Sequence, residues 1–220
     1  MTTAGSEIEV FTEAGGKRVF ASALDWPGWA RSGKTEEEAV AAVAAYLPRY
    51  AQILRRAGLT APGGTLIVIE RHPGLAKNAD FGALGEIAES DRRPLPAADG
   101  SRLASLLEAA WSAFDQTAAT APAQLREGPR GGGRDTTQIV AHVEDGEVTY
   151  ARKAGVSLSK DDRAAADAPA RLRALLADAL RHPDKLVTPA NGWPPRYAAR
   201  RTGWHVLDHL WEIEDKSAPL

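Results

Sequence analysis

Five histidines occur in the 220 residues, and two of them, His205 and His209, stand four apart in Trp204-His205-Val206-Leu207-Asp208-His209-Leu210-Trp211. On an α-helix that spacing places both rings within about 40° of each other on one face, so a single turn can offer two nitrogens to one ion. His142 lies between Val140 and Val143 in a segment patterned as another helix. If the two helices face each other, it supplies a third nitrogen. Three imidazoles leave coordination positions open to water or substrate, an arrangement that suits zinc, nickel or iron(II). Such an ion lowers the pKa of a bound water or thiol and generates a nucleophile near neutral pH. Asp145 follows His142 by about one turn, and Asp208 and Glu212 share the side of the His205/His209 pair. These three carboxylates are the candidate catalytic groups, either orienting the imidazoles or accepting protons.

The same residues have a plainer reading. A buried histidine is commonly a core residue satisfied by a hydrogen bond, and an i,i+4 pair arises by chance. His72 and His182 each precede a proline and read as loop residues without a role. Trp111, Trp204 and Trp211 read as core packing. Arg196, Arg200 and Arg201 fall in the first turns of the last helix, at the wrong end for its dipole. That placement fits an acidic substrate, a partner carboxylate or a plain surface ion pair, and the sequence leaves the three open.

The elements that must position these groups come from composition and periodicity. Hydrophobic residues make up 44% and charged residues 25%, the balance of an ordinary globular protein able to bury its core without a metal staple. Any ion is therefore free for chemistry. Cysteine is absent, which excludes disulfides, thiolate zinc sites and a cysteine nucleophile, and leaves only nitrogen and oxygen ligands. A net charge of −2 and a pI near 6.2 give no basic surplus for nucleic acid or anionic membrane. Met1 to Val10 lacks the apolar core of a secretory signal, and no apolar run approaches the roughly 18 residues of a membrane span. A cytoplasmic location is expected.

The expected fold class is α+β. Alternation over Glu7–Thr12, a Gly15-Gly16 turn and a second run over Lys17–Leu24 predict two strands, stopped by Asp25-Trp26-Pro27-Gly28. Thr35 predicts a helix N-cap, with Glu38 at capping-box spacing, for a helix from Glu36 to about Ala57 that kinks or breaks near Pro48. Thr65–Glu70 predicts a third strand, giving a small β-β-α-β domain over residues 1–92. The run Asp91–Pro96 marks the boundary. Residues 93–220 then predict an all-α four-helix bundle with helices near Ser101–Thr120, Thr136–Ala154 capped by Asp135, Pro169–Arg181 and Arg196–Asp215.

Two resemblances attach to particular stretches. Residues 93–216 resemble the DinB-like (YfiT-like) metal-binding bundles, through Ile139-Val140-Ala141-His142-Val143-Glu144-Asp145 and Arg200-Arg201-Thr202-Gly203-Trp204-His205-Val206-Leu207-Asp208-His209 with Trp211-Glu212-Ile213-Glu214-Asp215. The resemblance implies metal ligands at His142, His205 and His209. It also implies a metal-dependent transferase or hydrolase acting on a small-molecule substrate, with a low-molecular-weight thiol as cosubstrate, in a homodimer. Residues 7–70 resemble HicB-type antitoxin domains through Ala23-Leu24-Asp25-Trp26-Pro27-Gly28 and Ser32-Gly33-Lys34-Thr35-Glu36-Glu37-Glu38-Ala39. That half implies partner recognition, and with it an alternative reading of the chain as a non-catalytic binding or regulatory protein with the bundle as scaffold. A third expectation is a purely structural ion, whose removal lowers the melting temperature sharply.

Overall fold

A computed structural model describes residues 7–72, 79, 83–127 and 133–217. It is a mixed α and β structure, a four-stranded sheet followed by helices. Strand β1 (Glu7–Ala14) pairs antiparallel with β2 (Val19–Ala23), and β2 pairs antiparallel with β3 (Ala30–Gly33). Helices α1 (Glu36–Ala45) and α2 (Leu47–Arg56) cross over to β4 (Thr65–His72), which lies parallel to β1 with a register shift at Val10/Phe11. The sheet order is β3-β2-β1-β4. A 3-10 turn at Glu89–Arg92 precedes α3 (Ala97–Thr120), α4 (Thr136–Lys153), α5 (Ala168–Arg181) and α6 (Pro195–Ser217).

The expected β-β-α-β unit is corrected in one place. Pro27-Gly28 does not end the sheet. It turns the chain, with the Ala23 amide donating to the Trp29 carbonyl, and feeds β3, a four-residue strand too short to show alternation. Gly28 has φ +89°, which a glycine adopts without strain. The helix expected over 36–57 breaks near Pro48 as its sequence predicts, into two helices meeting at Tyr46, because Pro48 sits in the first turn of α2, where its missing N–H costs nothing. Thr35 caps α1 by accepting from the Glu38 amide at 3.2 Å, but the Glu38 carboxylate reaches the Lys34 amide and not that of Thr35. Asp135 and Gln138 close a complete capping box on α4.

Six α-helices of defined extent follow this pattern among the described residues, and the last four pack alongside one another. Helix α3 lies against both α5 and α6, and α4 against α6. Their apolar stripes, including Leu107 and Phe114 of α3, Val143 of α4, Leu176 of α5 and Leu210 of α6, belong to one cluster. Val10, Val43, Ile53 and Leu54 of the sheet half belong to the same cluster, so the core is continuous through residue 92. Just before α3, Asp91 is buried in an ion pair with Arg200 of α6. No helix among the described residues is long and apolar enough to cross a membrane.

Candidate metal centre

Helix α6 is buried along most of its length, and His205 and His209 remain only 5% and 8% exposed on the side that meets α4. His142 reaches them from α4. The three rings form a triangle with centroid separations of 4.9, 4.9 and 4.8 Å. One ligand nitrogen from each lies within 4.8 Å of the other two, so the group could hold a metal ion.

The closest pair is Nε2 of His142 and Nε2 of His205, at 3.2 Å. Two imidazole nitrogens at that distance either share a proton or point their lone pairs at a common cation. Tetrahedral zinc with bonds of about 2.0–2.1 Å sets its nitrogens about 3.3 Å apart, close to the spacing of this pair. Nδ1 of His209 lies 2.8 Å from the Glu212 carboxylate. An ionised carboxylate only accepts, so Nδ1 is the donor to Glu212, and Nε2 is the His209 nitrogen that could face an ion. The other Glu212 oxygen accepts from Lys216 Nζ at 2.5 Å. Hydrogen bonds from His209 and Lys216 hold the Glu212 carboxyl down at about 2.

Burial pushes the His205 imidazole down to about 2, with the charges of His209 and Arg201 adding to it. His142 is lowered too, by burial first and then by Arg134. Both rings are thus neutral, the form that binds a cation. Gly146, one turn after His142, makes the approach of His205 possible. A β-carbon there would lie 2.7 Å from Cε1 and 3.0 Å from Nδ1 of the His205 ring.

The three carboxylates singled out in the sequence have different surroundings. Glu212 touches His209. Asp208 turns to the sheet half, where Arg31 of β3 donates to it at 3.1 Å. Asp145 is exposed and makes no hydrogen bond to the three rings among the described residues, acting on His142 only through its charge. Sequence reasoning passed over Lys216, Gly146 and Tyr150, whose ring lies 5.4 Å from that of His205. The signal for Lys216 was its i,i+4 spacing from Glu212, and for Tyr150 its position two turns beyond His142 on the same helix. No protein-family model matches the chain, and no match was found among curated proteins or solved structures.

Proposed function

We propose that His142, His205 and His209 bind one divalent ion (zinc, nickel or iron(II)) and that the protein is a metal-dependent transferase or hydrolase acting on a small molecule. The reading takes α3–α6 as a DinB-like four-helix bundle and residues 7–72 as a HicB-like unit joined to it. The observation that carries it is the triangle of three imidazoles, two of them held neutral by burial and the third oriented by a carboxylate. When bound, the ion supplies a Lewis acid that activates water or a low-molecular-weight thiol.

The chain's own residues do the rest. Glu212 fixes the His209 tautomer, and Lys216 steadies Glu212, as the outer partners of metal-bound histidines do. Asp145 is the exposed carboxylate one turn from His142 and the candidate proton acceptor. Asp208 is assigned no proton transfer, since Arg31 engages it.

The test is metal analysis after reconstitution with zinc, nickel and iron(II). The expected result is one equivalent in the wild type and loss of binding in His205→Ala and His209→Ala. A wild-type protein that takes up none of the three ions overturns the reading.

A further inference from the structure

The arginines at the start of α6 have separate fates. Arg196 pairs with Asp25 at 2.8 Å and Asp99 at 2.7 Å, and Arg200 with Asp91 at 2.5 Å. Other well-buried arginines are likewise paired, Arg31 with Asp208 and Arg173 with Glu147 and Asp115. Arg201 is the exception. Among the described residues no carboxylate pairs with it, and its Nη1 is shut from solvent without a hydrogen-bond partner. The side chain is held by aromatic faces instead, its guanidinium carbon 5.1 Å from the Tyr150 ring centre and 4.6 Å from that of Trp204. Arg201 as a whole is only half-buried, and Nε and Nη2, unlike Nη1, are not shut away, so that edge of the guanidinium is left for a ligand.

Its position ties it to the histidines. Arg201 precedes His205 by four residues on α6 and so stands on the same helix face. Tyr150 touches both, with its ring 5.4 Å from that of His205. Of the carboxylates near the cluster, Glu212 is matched by Lys216, Asp208 by Arg31, and Asp145 acts on His142 from an exposed position. Arg201 therefore stands beside the histidine cluster with aromatic neighbours and no carboxylate of its own among the described residues.

We propose that Arg201 is an anion subsite beside the histidine cluster, and that the small-molecule substrate carries an oxyanion, a carboxylate or a phosphate, that docks there. The forked N–H edge of Arg201 takes the oxyanion in charge-assisted hydrogen bonds, and the aromatic wall of Tyr150 and Trp204 lies under it. The rest of the substrate then extends toward the three imidazoles. The anion subsite stands on Arg201 alone, whereas its role in substrate binding rests on the proposed metal-dependent function.

The experiment titrates the full-length, metal-free protein with inorganic phosphate and separately with acetate, followed by calorimetry and by the fluorescence of the tryptophans near Arg201. Saturable binding is expected in the wild type. Arg201→Gln should bind roughly tenfold or more weakly, the loss of one or two charge-assisted hydrogen bonds. Arg201→Lys should be severalfold weaker, because it keeps the charge but loses the fork, and it decides the matter should the Gln variant not fold. Zinc uptake should be the same in all variants, a readout independent of the anion. No saturable anion binding by the wild type, or affinities in the two Arg201 variants within twofold of it, overturns the subsite. Anion binding that depends on Arg201 in a protein that takes up no metal overturns the metal reading alone.

Discussion

Gly146→Ala is the sharpest perturbation of the candidate centre. Glycine in mid-helix is about 1 kcal/mol less favourable than alanine, so at an ordinary site the change would raise stability. Here the new β-carbon meets Cε1 of His205 at 2.7 Å and Nδ1 at 3.0 Å. Carbon–carbon contacts settle at about 3.5–4.0 Å, so the ring has to retreat by about 1 Å. Metal–nitrogen bonds tolerate displacements of only about 0.2 Å. Zinc affinity should therefore fall at least in the roughly 10–100-fold range seen when an outer partner of a ligand is lost. A competition titration against a chromophoric chelator measures it, with thermal melts of the metal-free proteins alongside. The control is the same change in a His205→Ala background. With the ring gone the β-carbon meets no clash, and Gly146→Ala should then stabilise the fold by about 1 kcal/mol. Unchanged zinc affinity in the single variant, with the stabilisation already present there, would refute the placement of His205 against α4.

Three further outcomes follow from the same geometry. In the metal-free protein the folded His205 imidazole lies near 2 against an ordinary 6.5. Its contribution is complete above about pH 6.5 and is lost as pH falls toward 2, because only the unfolded chain takes up the proton in that window. Urea midpoints in the presence of chelator should drop between pH 7 and 5, and less so in His205→Asn; a flat profile would contradict the burial of a neutral ring. Asp91→Asn leaves the Arg200 guanidinium, 1% exposed, without its counter-charge. Denaturant unfolding should show a loss of roughly 3–5 kcal/mol, whereas replacing both partners by apolar residues should cost far less. Gly203→Ala places a β-carbon 2.8 Å from Pro27 Cβ and 3.0 Å from the Gly28 amide nitrogen, and should destabilise by about 1–3 kcal/mol in the same assay.

Much of the site was legible because helix geometry is rigid. Once α6 is a helix, the four-residue spacing of His205 and His209 dictates that they share a face, and the Asp135 cap and the Pro195 start delimit the two helices that matter. That His142 meets the pair was open to inference through the DinB-like resemblance and through the apolar stripes of α4 and α6, which face each other when buried. The partners of the carboxylates were not legible. Asp208 and Glu212 are one turn apart on one helix, yet Asp208 pairs with a residue 177 positions earlier while Glu212 pairs within its own turn. Strand β3 was missed for a similar reason: Ala30–Gly33 has almost no pattern of its own and is a strand because β2 offers it a ladder. The three arginines of α6 showed the limit most clearly. Their common placement against the helix dipole could not separate two structural ion pairs from one unmatched guanidinium, since the distinction lies in Asp25, Asp91 and Asp99, all remote in sequence.

The sheet half has a direct part in holding the centre. The β2–β3 turn lays Pro27 and Gly28 onto the backbone of α6 at Gly203, two residues before His205, and each glycine leaves no room for a β-carbon on the other. Tyr50 of α2 locks the turn by donating to the Pro27 carbonyl at 3.1 Å, while Trp29 stacks on Tyr50 and donates to the Val43 carbonyl at 2.7 Å. Further along α6, Arg31 is clasped between Tyr46 and Trp211 and joined to Asp208. These contacts fix the axial position and rotation of the helix that presents two of the three imidazoles. The Trp26-Pro27-Gly28 stretch, which carries much of the HicB-like resemblance, is thus committed to an internal contact, with Pro27 and Gly28 buried. Partner recognition by that turn would require it to leave α6 and release Gly203. A sheet half that served recognition independently would be expected to tolerate changes at Gly28 and Gly203 without effect on the histidines. A sheet half that acts as a buttress predicts the opposite, that Gly203→Ala weakens zinc binding as well as the fold, because the ring of His205 moves with the turn that supports it.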